Sequence, residues 1–182
     1  MEKRKEYDAE KLADLLAKVE AAKKPDRQLS IDVLLAAGLF VFERRGPDRK
    51  EWLYSTFAGG PRRIRNDYTF ILSHWHVTAS VDAALAAVEM RLPGWGWQVG
   101  KCHVTDDALI FPDYNSPVHG ERLKAELGYS TLKAGDIFDG GVDIAREPSG
   151  QPALAVLEAL ITALIHLAER ASTLPNTQKE GT

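Results

Sequence analysis

A chain of 182 residues, 45% hydrophobic and 27% charged, is long enough for one domain with a buried core. Its 23 Lys and Arg against 26 Asp and Glu give a net charge of -3, which argues against bulk electrostatic binding of nucleic acid. The one cysteine, Cys102, excludes an internal disulfide and a cysteine-built zinc site, and fits a reducing compartment.

The opening MEKRKEYDAEK is charged and lacks the apolar run of a secretory signal. Residues 8–23 then read as an amphipathic helix, with Leu12, Leu15, Leu16 and Val19 on one face and Pro25 beyond its end. A short second helix follows, with Ser30 as expected N-cap, Asp32 in its first turn and Gly38 as its stop. The apolar run VLLAAGLFVF (33–42) is about half the length that spans a bilayer. LFVFERR (39–45) and EWLYSTF (51–57) are aromatic and β-branched, so they read as a hairpin around RGPDRK. AGGPRRIRN (58–66) reads as a loop and DYTFILSHW (67–75) as a third strand.

A helix is expected over 79–92, capped by Thr78 or Ser80, favoured by Asp82 in its first turn and stopped by Pro93-Gly94. WGWQVGKCHV (95–104) and ALIF (108–111) read as strands, with Trp95, Trp97 and Val99 sharing a face. Residues 112–150 hold nine Gly and Pro and read as an irregular insertion, with a turn or two of helix in HGERLKAEL (119–127). The last helix is expected over 151–172, with Ser149 as a candidate cap. Its polar positions Glu158, Thr162 and His166 form one narrow stripe on an otherwise apolar surface. Such a helix belongs between other elements of a soluble protein, not in a membrane. The expected organisation is one domain over 1–172 and a polar tail over 173–182. The expected fold is α+β: a three-layer α-β-α sandwich around a mostly antiparallel sheet of about five strands.

Three segments together resemble an uncharacterised protein family of proteobacterial phages and prophages, related to the phage ABA-sandwich domain. They are KLADLLAKVEAAKKPDRQLSIDVLLAAG (11–38), TASVDAALAAVEMRLPGWGWQV (78–99) and QPALAVLEALITAL (151–164). They cover about half the chain in the family's order, the central one being the most specific. The resemblance implies a phage gene product with an α-β-α sandwich and implies no reaction. The extended stretch 112–150 and the Arg-rich loops before residue 66 depart from the family's pattern.

Three residue sets invite a functional reading. His74 and His76 share a strand face and could chelate a metal with His103 or Asp106. Two ligands are short of the three or four a site needs, so a solvent-facing strand end is the favoured reading and no metal or cofactor is expected. Trp95 and Trp97 could stack a base, but their strand period favours clamping the sheet against a helix. The basic loops carry the most weight. Seven basic residues, Arg44, Arg45, Arg49, Lys50, Arg62, Arg63 and Arg65, and two acidic ones lie between 44 and 65. The local balance is +5, which leaves -8 for the rest of the chain. Gly59-Gly60 before PRRIR could cradle a phosphate, although the P-loop spacing is absent. Scattered solvated arginines are the plain alternative.

No nucleophile-base pair is legible: Cys102 and His103 are adjacent, so a strand would place them on opposite faces. DIFDGGVD (136–143) lacks calcium-loop spacing and reads as a turn. The expected function is therefore a non-enzymatic, phage-encoded accessory protein in the bacterial cytoplasm. Its expected partner is a host protein or a protein–nucleic acid complex, as for an inhibitor of a host defence system, with direct nucleic-acid contact and homo-oligomerisation both permitted. The alternatives are a nucleotide- or phosphate-acting enzyme using the Arg-rich loop, and a virion structural or assembly protein.

Overall fold

A computed structural model of the chain describes residues 8–45, 49–56, 60–64, 76–101, 106–128, 140–146 and 151–173. Five helices and six strands lie there. They are α1 (Ala9–Ala21), α2 (Arg27–Ala36), β1 (Phe40–Arg45), β2 (Arg49–Thr56), β3 (Gly60–Ile64) and α3 (Val81–Arg91). Then come β4 (Trp95–Lys101), β5 (Asp106–Pro112), α4 (Gly120–Leu127), β6 (Val142–Arg146) and α5 (Pro152–Thr173). The strands form two three-stranded antiparallel sheets, β1-β2-β3 and β4-β5-β6. The α+β class is therefore present; among the described residues six strands pair in two sheets, and a single sheet of about five strands is not shown. The expected strand over 67–75 lies outside the described residues.

The core is built on α5. Leu154, Leu157, Leu160 and Leu164 are fully buried along it, with Ala153, Ala155, Ala159 and Ala163 between them. The alanines let neighbours approach closely: α1 and α3 pack on α5, and β4, β5 and β6 meet it on another side. Strand β5 shows why one sheet face is the core face. Its burial alternates, so Asp106, Ala108, Ile110 and Pro112 are buried while Asp107, Leu109 and Phe111 are only partly so. Among the described residues, one helix stretch, Pro152–Ser172, is long and apolar enough to cross a membrane, and 56% of its 18-residue apolar window is buried inside the protein.

One cap differs from its expected position. Asp26, not Ser30, caps α2, its Oδ1 accepting from Leu29 N at 2.7 Å. Ser30 is instead fully buried beside Thr78. The two hydroxyls lie 2.8 Å apart, one donating to the other. Thr78 Oγ1 also accepts from Asp26 N at 3.0 Å, and Thr78 N donates to Ser30 Oγ at 3.3 Å. This buried polar knot fastens the start of α2 to the turn before α3, which leaves Ser80 as the α3 cap, bonded by Ala83 N at 3.2 Å. Thr78→Val keeps the shape but takes the acceptor from Asp26 N and one of three partners from Ser30 Oγ, which keeps Asp26 O and Thr78 N. It should cost about 2 kcal/mol, while Thr78→Ser should cost about half that, read by urea denaturation. Equal losses for both would show that the methyl group, not the hydroxyl, matters.

Two glycines set the entry to β4. Gly94 has φ +89°, which ends α3 after Pro93, and a Cβ there would lie 2.3 Å from His119 Cβ. Gly96 lies under the Phe111 ring, where a Cβ would come within 2.7 Å of ring carbons. The aromatic ring thus covers the bare glycine across the strand pair.

The expected irregular insertion over 112–150 is corrected in part. The helical turns expected over 119–127 are present as α4, closed by Gly128 in the left-handed region, and the addition is β6, which pairs with β5 in the second sheet. The five residues VDIAR carry only two apolar alternations, too little to stand out among glycines. Their strand state is fixed by pairing with β5, not by propensity.

Candidate functional site

Six of the seven basic residues fall on the β1-β2-β3 meander. Aromatic and β-branched residues make these strands extended. Their register then sets basic residues against each other: Arg44 is the direct partner of Lys50, and Arg45 of Arg49. On the far side of β2, Arg62 pairs with Tyr54 and Arg63 with Leu53. Like charges directly opposite on an antiparallel pair are destabilising. The hairpin therefore concentrates positive charge at the end where β1 passes to β2. Arg65 and the connection 46–48 lie outside the described residues.

The expected phosphate-cradling loop is corrected. Gly60–Ile64 is a strand paired with β2 along its whole length, with Thr56 opposite Gly60 and Trp52 opposite Ile64. Those of its backbone amides that face β2 serve a ladder.

The other expected residues divide. Among the three histidines, His76 is described and half-buried, and its carbonyl accepts from Ala79 N and Ser80 N at the entrance to α3. His74, His103 and Cys102 lie outside the described residues. Among the described residues, no group of three His, Cys, Asp or Glu could hold a metal. The two tryptophans part company: Trp95 packs against the core as a half-buried ring, whereas Trp97 is 39% exposed. Trp97 thus does not clamp the sheet as expected.

Trp95 also borders an open cleft of about 330 Å³, with Leu127 of α4 and Ala163, His166, Glu169 and Arg170 of α5. Arg170 donates to the Leu127 carbonyl at 3.1 Å, so it holds the C-terminus of α4. Burial pulls the Arg91 guanidinium below its usual pKa, at the last turn of α3.

Sequence reasoning missed two groups that organise the molecule. Asp106 is completely buried and its Oδ2 accepts from Gln151 N at 3.1 Å, the place where Ser149 was expected to cap α5. Arg146 bridges three elements. It donates to Glu158 Oε2 at 2.5 Å and to the Val19, Glu20 and Ala22 carbonyls at 2.8–3.1 Å. A lone Arg beside PSG carries no sequence signal for this, since its partners lie more than 120 residues away at the end of α1. Comparison with known family models, with curated proteins and with solved structures found no match for this chain.

Proposed function

We propose that this protein is a non-enzymatic binding protein that presents the basic β1-β2-β3 meander to an acidic partner. The single observation behind this reading is the register, which makes Arg44–Lys50 and Arg45–Arg49 direct cross-strand partners. A pairing that costs stability in isolation gains a reason when an anionic surface neutralises it. The charge is local, +5 over 44–65 in a chain of net -3, which favours one contact face over general polyanion binding. The resemblance to phage and prophage proteins supplies the setting: a phage-encoded accessory protein in the host cytoplasm, whose partner is a host factor such as a defence complex. An enzyme acting on phosphate through the Gly-Arg segment is the weaker reading, because Gly60–Ile64 is strand.

The finer fold we propose is a three-layer α-β-α arrangement. It is supported by α5 against one face of β4-β5-β6 and by the partly buried Leu109 and Phe111 on the other, which call for cover.

Affinity capture from a proteobacterial host lysate, with and without nuclease, tests the function. The wild-type protein should retain a specific host component, and a triple reversal of Arg62, Arg63 and Arg65 to Glu should lose it while melting at the same temperature. Equal capture by both proteins, or no specific capture by either, would overturn the proposal.

A further inference from the structure

We infer that two copies of this chain pair through the outer edge of β4, extending the β4-β5-β6 sheet across a two-fold axis. Among the described residues β4 ends the order of its sheet. One hydrogen bond fixes which of its backbone groups face outward. Asp113 N donates to the Gly94 carbonyl at 3.0 Å, so these two residues, one step beyond the Trp95–Pro112 partners, form a hydrogen-bonded pair. Such pairs alternate along an antiparallel ladder. Gly96, Gln98 and Gly100 therefore direct their amides and carbonyls to β5, and Trp97 and Val99 direct theirs away from it. Trp95 fits the same alternation, since its outward N–H is taken by the Leu92 carbonyl at 3.0 Å.

This edge is accessible and unguarded. Trp97, Gln98 and Gly100 are all exposed, Trp97 at 39%. Exposed strand edges are ordinarily blunted by charge, proline or a bulge. Trp95–Gly100 has no charged residue and no proline, and its register with β5 runs without a bulge. The strand at the other side of the sheet, β6, carries Asp143 and Arg146. The edge of β4 is also self-complementary. An antiparallel two-fold axis at Gln98 sets Trp97 of one copy opposite Val99 of the partner subunit, and the reverse, so the outward amides and carbonyls of both residues find partners. Each Trp97 ring then gains a β-branched cross-strand neighbour. A second copy is the one occupant that must meet the strand's own charges, and this strand brings none together at the axis. The inference is independent of the acidic-partner reading, because no residue of β1-β2-β3 enters it.

The test is sedimentation equilibrium of the full chain over about 1–200 μM, where the mass should rise to twice that of one chain. Val99→Pro removes an outward N–H and leaves the hydrogen bonds to β5 intact, so it should weaken self-association by at least about tenfold with an unchanged circular dichroism spectrum. Gln98 supplies a second readout that holds if the proline variant folds poorly, since its side chain is exposed. Gln98→Lys and Gln98→Glu each place like charges opposite one another at the axis and should each weaken the dimer by about threefold or more. An equimolar mixture of the two should restore it, because the charges at the axis are then opposite. A chain that stays monomeric throughout, or a dimer indifferent to both Gln98 charges, would overturn the inference. A monomer whose Val99→Pro variant loses a protein captured from lysate would also overturn it, and would assign the edge to an extended segment of another protein.

Discussion

Replacing Arg146 by alanine should lower the unfolding free energy by about 3–5 kcal/mol, the range for removing one partner of a buried ion pair. The side chains of Arg146 and Glu158 are only 10% and 14% exposed, so Glu158 would be left charged with little solvent to replace its partner. The loss goes beyond the ion pair. Arg146 also serves the carbonyls of Glu20 and Ala22 at the end of α1, and shares that of Val19 with Ala22 N. An apolar double variant, Arg146→Met with Glu158→Leu, removes the orphaned carboxylate but not the orphaned carbonyls. It should therefore recover part of the stability and stop short of the wild type. Urea denaturation of the three proteins would check this. A cost below about 1 kcal/mol for Arg146→Ala would mean that the pair behaves as a surface ion pair and α1 is held by its apolar face alone.

Leu160→Ala should cost about 3–4 kcal/mol. Leu160 is fully buried in the middle of α5, where helices pack on one side and β4-β5-β6 on the other. Removing its isobutyl group leaves a cavity that several packed elements would have to move together to fill. The exposed end of the same helix is the control: Ser172→Ala removes a hydrogen bond to the Glu169 carbonyl at an exposed site and should change stability by less than about 0.5 kcal/mol. Thermal melts of both variants would show the gradient along α5. Similar small shifts for the two would contradict a core centred on this helix.

The two variants mark different depths of sequence legibility. Leu160 sits in a long apolar helix whose burial was readable from its composition, although its neighbours were not. The first and third helices were similarly legible from the spacing of Leu12, Leu15 and Val19 and from the Ser80 and Pro93-Gly94 signals. Arg146 was opaque, because hydrogen bonds to distant carbonyls leave no local pattern. The same holds for Ser30, which looks like a helix cap in sequence. A buried threonine 48 residues later takes its hydroxyl, and Asp26 takes the cap. For the candidate site, residue type and charge segregation were visible in the chain. The strand state of Gly60–Ile64 was not, since Gly-Gly-Pro favours a loop until a partner strand supplies the ladder.

What the sequence determined by itself was the α+β class, the positions of most helices, the strand pair at 40–56, and the concentration of positive charge between 44 and 65. These depend on periodicity, capping and composition, which act over a few residues. What only the tertiary structure decided was register and closure. It paired Arg44 with Lys50 and Arg45 with Arg49, and set Phe42 beside Trp52. It recruited VDIAR as the third strand of the second sheet, and tied α1, β6 and α5 together through one guanidinium. Those outcomes rest on contacts between residues far apart in the chain. Their free energy appears only when both sides are in place, so no local stretch of sequence announces them.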